Sequence, residues 1–315
     1  MQEIKKKRRT TSMRQVAASH ILTLTDFLTH WHLVNVSVGP QGDLILLLRE
    51  QGPGNKIRRR QIRRTRKVGD PNHFRIYHQI CKERFECIDF PPMQEDFTHV
   101  QPLSHNTWLF IRSRSYGSGD HNASIYAVDG SLLRSFHVGD AIHDVQVDEV
   151  GAIWVSFFDE GVFSGEEPAQ AGLVCFNQEG QTLFKYNNLA ERTGALSIAD
   201  CYAMNVCSQQ EVWLCPYMEF PLVQLVEQQI KQVWLDVPVR GSQAFAISSG
   251  RALFAGGYEN WKKLFLVTLD TMSEEQIEAV DQDGARLSFR IAYGRGSRLY
   301  LVSEQSIFVL DLDIF

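Results

Sequence analysis

"HDVQVDEVGAIWVSFFDEGVF", residues 143–163, is the stretch on which the fold reading turns. Val145 and Val147 alternate with Asp144, Gln146 and Asp148. After a turn, Ile153, Val155 and Phe157 alternate with Trp154, Ser156 and Phe158. A period of two is the signature of β-strands, so the segment reads as a hairpin. Its second strand is apolar on both faces and is therefore packed from both sides. Ionisable residues are confined to the two ends, His143 and Asp144 at one and Asp159 and Glu160 at the other.

The pattern recurs outward from this hairpin. "THVQPLSHNTWLFIRSR" followed by "NASIYAVDGSLLRSFHV" runs parallel to "HDVQVDEVGAIWVSFFDE" followed by "GLVCFNQEGQTLFKYNN". Val100-Gln101 corresponds to Val145-Gln146, and Trp108 to Trp154. Each unit ends in two strands flanking an Asp-Gly or Glu-Gly turn, a strong hairpin signal. Further units start near Trp31, Asp200, Ser242 and Ala285, and the last stops after three strands. Four-stranded units repeating every ~40–45 residues are the sequence signature of a β-propeller. The expected fold is therefore all-β, a six-bladed propeller whose last blade is completed by an N-terminal strand within residues 19–27. A rival reading of residues 12–30 is an amphipathic helix with Val16, Ile21, Leu24 and Leu28 on one face. The domain reading is a basic arm without a core at 1–18, then a propeller over 19–315 with a basic insertion at 51–72.

These units resemble the six-bladed propellers of the gluconolactonase, virginiamycin B lyase and NHL-repeat groups. The resemblance covers residues 32–315 and rests on blade motifs such as "VQVDEVGAIWVSFF" and "LVCFNQEG". The chain also resembles uncharacterised bacterial proteins in its "IWV" and "FDEGVF" stretches. The lactonase resemblance implies a divalent metal at the axis, although its ligand set of one Glu, two Asn and one Asp does not map position by position here.

In a propeller, the starts of first strands and the ends of second strands meet at one mouth. That topology gathers His99, Arg112, His143, Asp144, Asp159, Glu160, Asp200, Tyr202, Glu259 and Asn260 as a candidate ligand pocket. His143, Asp144 and Asp200 are the catalytic candidates, with an imidazole as general base. Asp144, Asp200 and Asn205 are candidate oxygen ligands for a divalent cation such as calcium. The competing reading has these acids capping turns or pairing with Arg112 and Arg114. His30 and His32 share a strand face, a weaker metal pair. No GxSxG elbow, HExxH motif, P-loop or dinucleotide fingerprint is present.

Two clusters carry 13 cations and no acid: Lys5–Arg9, and Lys56, Arg58, Arg59, Arg60, Arg63, Arg64, Arg66 and Lys67. Without them, 19 basic residues face 37 acidic ones, so an acidic body bears two basic attachments. The second cluster is a candidate site for nucleic acid or another polyanion, but no aromatic residue interleaves with its cations, as base stacking would require. The six cysteines form no CxxC pair and read as buried free thiols. No apolar run reaches the ~18–20 residues of a membrane span, and the N-terminus lacks the apolar core of a secretory signal. The expectation is a monomeric cytoplasmic protein with no membrane contact. Its leading role is a non-catalytic scaffold for a protein partner or small ligand at the mouth. The alternatives are a metal-dependent hydrolase or lyase using the axial pocket, and a nucleic-acid-associated protein using the basic loop.

Overall fold

The computed structural model describes residues 13–51, 71–117, 119–258 and 260–315. Six sheets form, one per repeat, with antiparallel strands a to d that follow chain order in all but blade 6. Blade 1 is Trp31–Val38, Leu44–Glu50, Phe74–Cys81 and Arg84–Asp89; blade 2 is His99–Leu103, Thr107–Ile111, Ala123–Ala127 and Leu132–Phe136. Blade 3 is Ile142–Val147, Ile153–Phe157, Leu173–Phe176 and Thr182–Lys185. Blade 4 is Asp200–Val206, Glu211–Tyr217, Leu222–Val226 and Gln229–Trp234. Blade 5 is Ala244–Ser248, Arg251–Ala255, Leu264–Thr268 and Ser273–Val280. Blade 6 takes Ile291–Arg295, Arg298–Val302 and Ser306–Asp311 from the C-terminal end of the chain and Ser19–Thr23 as its outer strand. Each a strand contacts the next, and that of blade 6 returns to blade 1, so the ring is closed.

The two-faced apolar strands explain the packing. Six hydrophobic clusters fill the six gaps between blades, such as Leu109, Ile111, Val145 and Val147 between blades 2 and 3. Trp108 and Trp154, equivalent in the repeat, are both buried. Near the axis the backbones come close. A Cβ on Gly294 would lie 1.9 Å from the Phe245 carbonyl oxygen, so only glycine lets the a strands of blades 5 and 6 meet there.

The described part of the rival helix, residues 13–30, is not helical in that way. Ser19–Thr23 pairs antiparallel with Ser306–Asp311, with His20 opposite Phe308 and Leu22 opposite Ile307. Arg14–Ala17, assigned by sequence to the arm, is a fifth strand of blade 5, parallel to Ser273–Val280. A single 3-10 turn follows at Leu24–Asp26. The side chains that suggested a helical face are divided between two interfaces: Val16 packs between blades 5 and 6, while Ile21, Leu24 and Leu28 pack between blades 6 and 1. Two open sheet edges outcompete the local helical period, because pairing them satisfies backbone groups that a helix would leave exposed.

All six cysteines are free. Cys175, Cys201 and Cys215 are buried as expected. Cys81 and Cys87 are not: they lie exposed on the outer half of blade 1, where strands c and d face solvent. Among the described residues no helix is long and apolar enough to cross a membrane.

Candidate functional site at the propeller mouth

The a strands begin at the mouth, and three of them are irregular there. In blade 3 the register slips between Ile142 and Asp144, leaving His143 as the extra residue; in blade 4 it slips between Cys201 and Ala203, leaving Tyr202. Blade 1 does the same between Leu33 and Asn35. A bulge re-aims the side chain it carries, so His143 and Tyr202 occupy equivalent, displaced positions beside the axis.

His143 donates from Nδ1 to the Cys201 carbonyl at 2.5 Å and packs its ring on Phe158 at 4.3 Å between centroids. That bond leaves Nε2 as the nitrogen open to a ligand. His99 Nε2 contacts the His143 carbonyl at 3.4 Å. Burial pushes the His99 pKa down and the charge of His143 adds to this, against the pull of Asp144. Burial also pushes the Asp200 carboxyl above its usual range, helped by Asp159 and opposed by His143. Its Oδ1 is buried and has no hydrogen-bond donor. Asp144 accepts from the Val145 amide at 2.8 Å and from Gln146 Nε2 at 2.9 Å. Asp159 accepts the Glu160 amide at 2.7 Å. Asp144, Asp159 and Asp200 thus stand at the mouth without an ion-pair partner among the described residues.

The other candidates are placed differently. Arg112 is buried beneath Tyr116, with Nε 2.7 Å from Glu95 and Nη2 2.6 Å from Asp120. Glu160 pairs with Arg114, which also reaches Asp140 at 3.2 Å. For Arg112 and Glu160 the pairing reading is therefore the one that the contacts fit. Asn205 is wholly buried and occupied. Its Nδ2 donates to the carbonyls of Phe245 at 2.8 Å and Gly296 at 3.0 Å, and its Oδ1 accepts the Gly296 amide at 2.7 Å. That oxygen faces a donor rather than open space, which takes Asn205 away from the mouth carboxylates. Asn260 lies in the b–c turn of blade 5, and Glu259 falls outside the described residues. So does the whole cluster Lys56, Arg58, Arg59, Arg60, Arg63, Arg64, Arg66 and Lys67, which falls in the sequence between strands Leu44–Glu50 and Phe74–Cys81. His32 faces Arg49 across the sheet, and burial with that cation lowers its pKa. Among the described residues, no three His, Cys, Asp or Glu side chains are grouped to hold a metal.

Two features escaped the sequence reading. The first is a polar layer along the axis, one side chain from each of five blades: Ser37, Gln101, Gln146, Asn205 and Arg295, all buried. Gln146 donates to Met204 O at 3.0 Å and accepts the Val206 amide at 2.9 Å. From the opposite blade, Arg295 reaches Gln146 Oε1 at 3.3 Å and Val147 O at 2.7 Å, so the axis is spanned by side chains. The second is aromatic. Tyr202, Tyr217, Phe220 and Tyr258 pack together, with the Tyr202 and Tyr258 hydroxyls 2.7 Å apart. Burial and that bond raise the Tyr202 pKa.

The electrostatics give a signed prediction. A carboxyl whose folded pKa is raised costs stability once pH climbs above its unfolded value, because the fold prefers the neutral form. Asp200→Asn is therefore expected to raise stability at neutral pH. The gain should fade as pH falls through the Asp range, where the wild-type carboxyl is itself protonated. Urea midpoints for both proteins across that range check this, and an equal difference at every pH would refute it.

Comparison with known proteins adds the following. A model of the YxzG family matches residues 173–310, from strand c of blade 3 to the third strand of blade 6. No curated protein matches. A catalytically inactive virginiamycin B lyase from Staphylococcus aureus with quinupristin is similar at 11% identity and TM-score 0.49, over 92% of this chain and 98% of that one. The WD40 propeller domain of Doa1 is similar at 10% identity and TM-score 0.49, over 92% and 96%. A gluconolactonase from Xanthomonas campestris is similar at 10% identity and TM-score 0.41, over 78% and 91%. Such distant likenesses say nothing about chemistry. The strand order itself makes this chain a six-bladed β-propeller, its ring closed by the N-terminal strand.

Proposed function

We propose that the chain is a non-catalytic binding scaffold whose mouth face docks a protein partner. One observation carries this reading. Among the described residues, the exposed aromatic side chains are Tyr116, Phe158, Phe163, Tyr217, Tyr258 and Trp261, and all six sit on b–c connections or at the mouth ends of b strands. Exposed Met218 lies in the same rim. Tyr and Trp dominate protein-interface hot spots, because they bury a large area at low entropic cost. Asp159, Asp200 and Glu219 stand on this face without ion-pair partners among the described residues, which favours a partner offering cations beside apolar groups.

The test compares three proteins in affinity capture from the cells that make the chain, followed by titration with each purified capture. The first is wild type. The second carries Phe163→Ser, Tyr258→Ser and Trp261→Ser at the mouth. The third carries Val128→Ser and Val150→Ser on the opposite face. Apart from Tyr258→Ser, which also removes the Tyr202 bond and part of the aromatic cluster, these exposed substitutions should each shift stability by no more than about 0.5 kcal/mol. Hot-spot losses of about 2 kcal/mol or more correspond to at least ~30-fold weaker binding for the mouth variant, with the opposite-face variant unchanged. Equal binding by the mouth variant would overturn the reading.

A second reading, catalysis at the axial pocket, draws support from the orphaned Asp200 oxygen and its raised pKa beside His143. A lactone and ester screen with and without divalent cations tests it, and turnover abolished by His143→Ala would move the assignment to an enzyme. The polyanion reading rests on residues 56–67. A steep salt dependence of nucleic-acid binding, lost with Arg58→Ala, Arg59→Ala and Arg60→Ala, is its test.

A further inference from the structure

We propose that the axial channel, at its end away from the mouth, holds a small carboxylate-type monoanion on the guanidinium of Arg295. This is independent of the docking surface, which lies at the other end of the channel. Arg295 closes the a strand of blade 6 and is 5% exposed. A guanidinium has five N–H donors. Two are met, by Gln146 Oε1 and Val147 O. Three, the Nε–H among them, have no protein acceptor among the described residues.

The charge is equally incomplete. Burial lowers the pKa of Arg295, and the acids that act on it do so only through space. Each is engaged elsewhere. Asp43 holds His78 at 2.6 Å. Asp148 accepts the amides of Val150 and Ala152 and the Trp154 indole N–H, at 3.1, 2.9 and 3.2 Å. Glu149 accepts the Gln209 amide at 2.9 Å. None forms an ion pair with Arg295. A buried charge without a paired counter-charge is a costly arrangement, and a planar fork with spare donors is shaped for a carboxylate.

The surroundings narrow the ligand class. Burial to 5% admits only a small group, which excludes a bulky acidic chain. The three nearby carboxylates penalise a doubly charged anion such as hydrogenphosphate more than a singly charged one.

Formate is the probe. In thermal melts of the full chain, formate replaces chloride at fixed ionic strength, and saturation-transfer NMR follows the formate proton. Wild type is expected to show a saturable rise in Tm and a saturation-transfer signal. Arg295→Gln is expected to lose both. Arg295→Lys keeps a cation at this place without the planar fork, so it is expected to fold and to lose most of the saturable formate response. If Arg295→Gln fails to fold, Arg295→Lys decides. A wild-type melt unmoved by formate, or an undiminished response in the Arg295→Lys protein, would overturn the proposal. A shift that follows every anion alike would also count against it.

Discussion

A chain that starts at Thr25 is expected not to form a stable propeller. The deletion removes the outer strand of blade 6 and the fifth strand of blade 5 together. It also strips Val16, Leu22 and Leu24, buried to 6%, 8% and 1% exposure, from two inter-blade clusters. Burying one such side chain contributes about 1.5–3 kcal/mol, so three contribute about 5–9 kcal/mol. A domain's whole stability is about 5–15 kcal/mol. The truncated chain therefore loses most of its margin, before counting the backbone bonds of both strands. Leu24→Ala alone should cost about 2–5 kcal/mol, because Leu24 is sealed in the seam between blades 6 and 1. Urea melts and size-exclusion elution measure the loss. A synthetic peptide of residues 13–28 supplied in trans is expected to restore a folded transition, because it carries both strands and Phe27, which packs on Tyr77 of blade 1 at 4.5 Å. A truncated chain with the wild-type midpoint would show that the N-terminal segment only decorates a ring closed by other contacts.

That closure was legible in the sequence for a definite reason. The last repeat stops after three strands, and a missing edge partner is a countable deficit. The fifth strand at Arg14–Ala17 was not legible. Four residues with one buried side chain, Val16, carry no period, and nothing local announces a parallel partner at Ala279. The mouth shows the same division. Strand topology alone puts His143, Asp144, Asp159, Asp200 and Tyr202 at one end of the ring. What each does there depends on non-local partners: the Cys201 carbonyl for His143, Tyr258 for Tyr202, and Glu95 and Asp120 for Arg112. The bulges that re-aim His143 and Tyr202 arise from how each a strand meets its neighbour, and a period-two pattern does not record them. Gln101 and Gln146 were visible as equivalent positions, yet only the closed ring reveals a shared polar layer with Asn205 and Arg295.

Asn205 is where that layer can be broken most sharply. Asn205→Leu keeps the branched four-atom outline of the side chain and removes both polar halves of the amide. It leaves the Gly296 amide and the Phe245 carbonyl without their side-chain partners, while Gly296 O keeps the Ile247 amide at 2.9 Å. A buried polar group stripped of its partner costs about 1–3 kcal/mol, so two cost about 2–6 kcal/mol. Asn205→Asp separates the parts of the interaction. It retains an acceptor for Gly296 N–H but sets a second oxygen against two carbonyls, in a site with 0% exposure. Burial and those carbonyls hold the folded carboxyl well above its unfolded pKa of ~3.9. The deficit of Asn205→Asp is therefore smallest below that pH, where the acid is neutral and can donate to a carbonyl. It grows as pH rises towards neutral, whereas the deficit of Asn205→Leu is flat across the same range. Urea midpoints for the two variants at several pH values give the comparison, and parallel curves would mean that the amide fills space rather than stitching blades. The consequence reaches the mouth. Asn205 shares an a strand with Asp200 and Tyr202 and ties it to blades 5 and 6. Loosening that tie should weaken partner binding without touching the docking surface, and Asn205→Leu should therefore lower affinity while the exposed aromatic rim keeps its sequence.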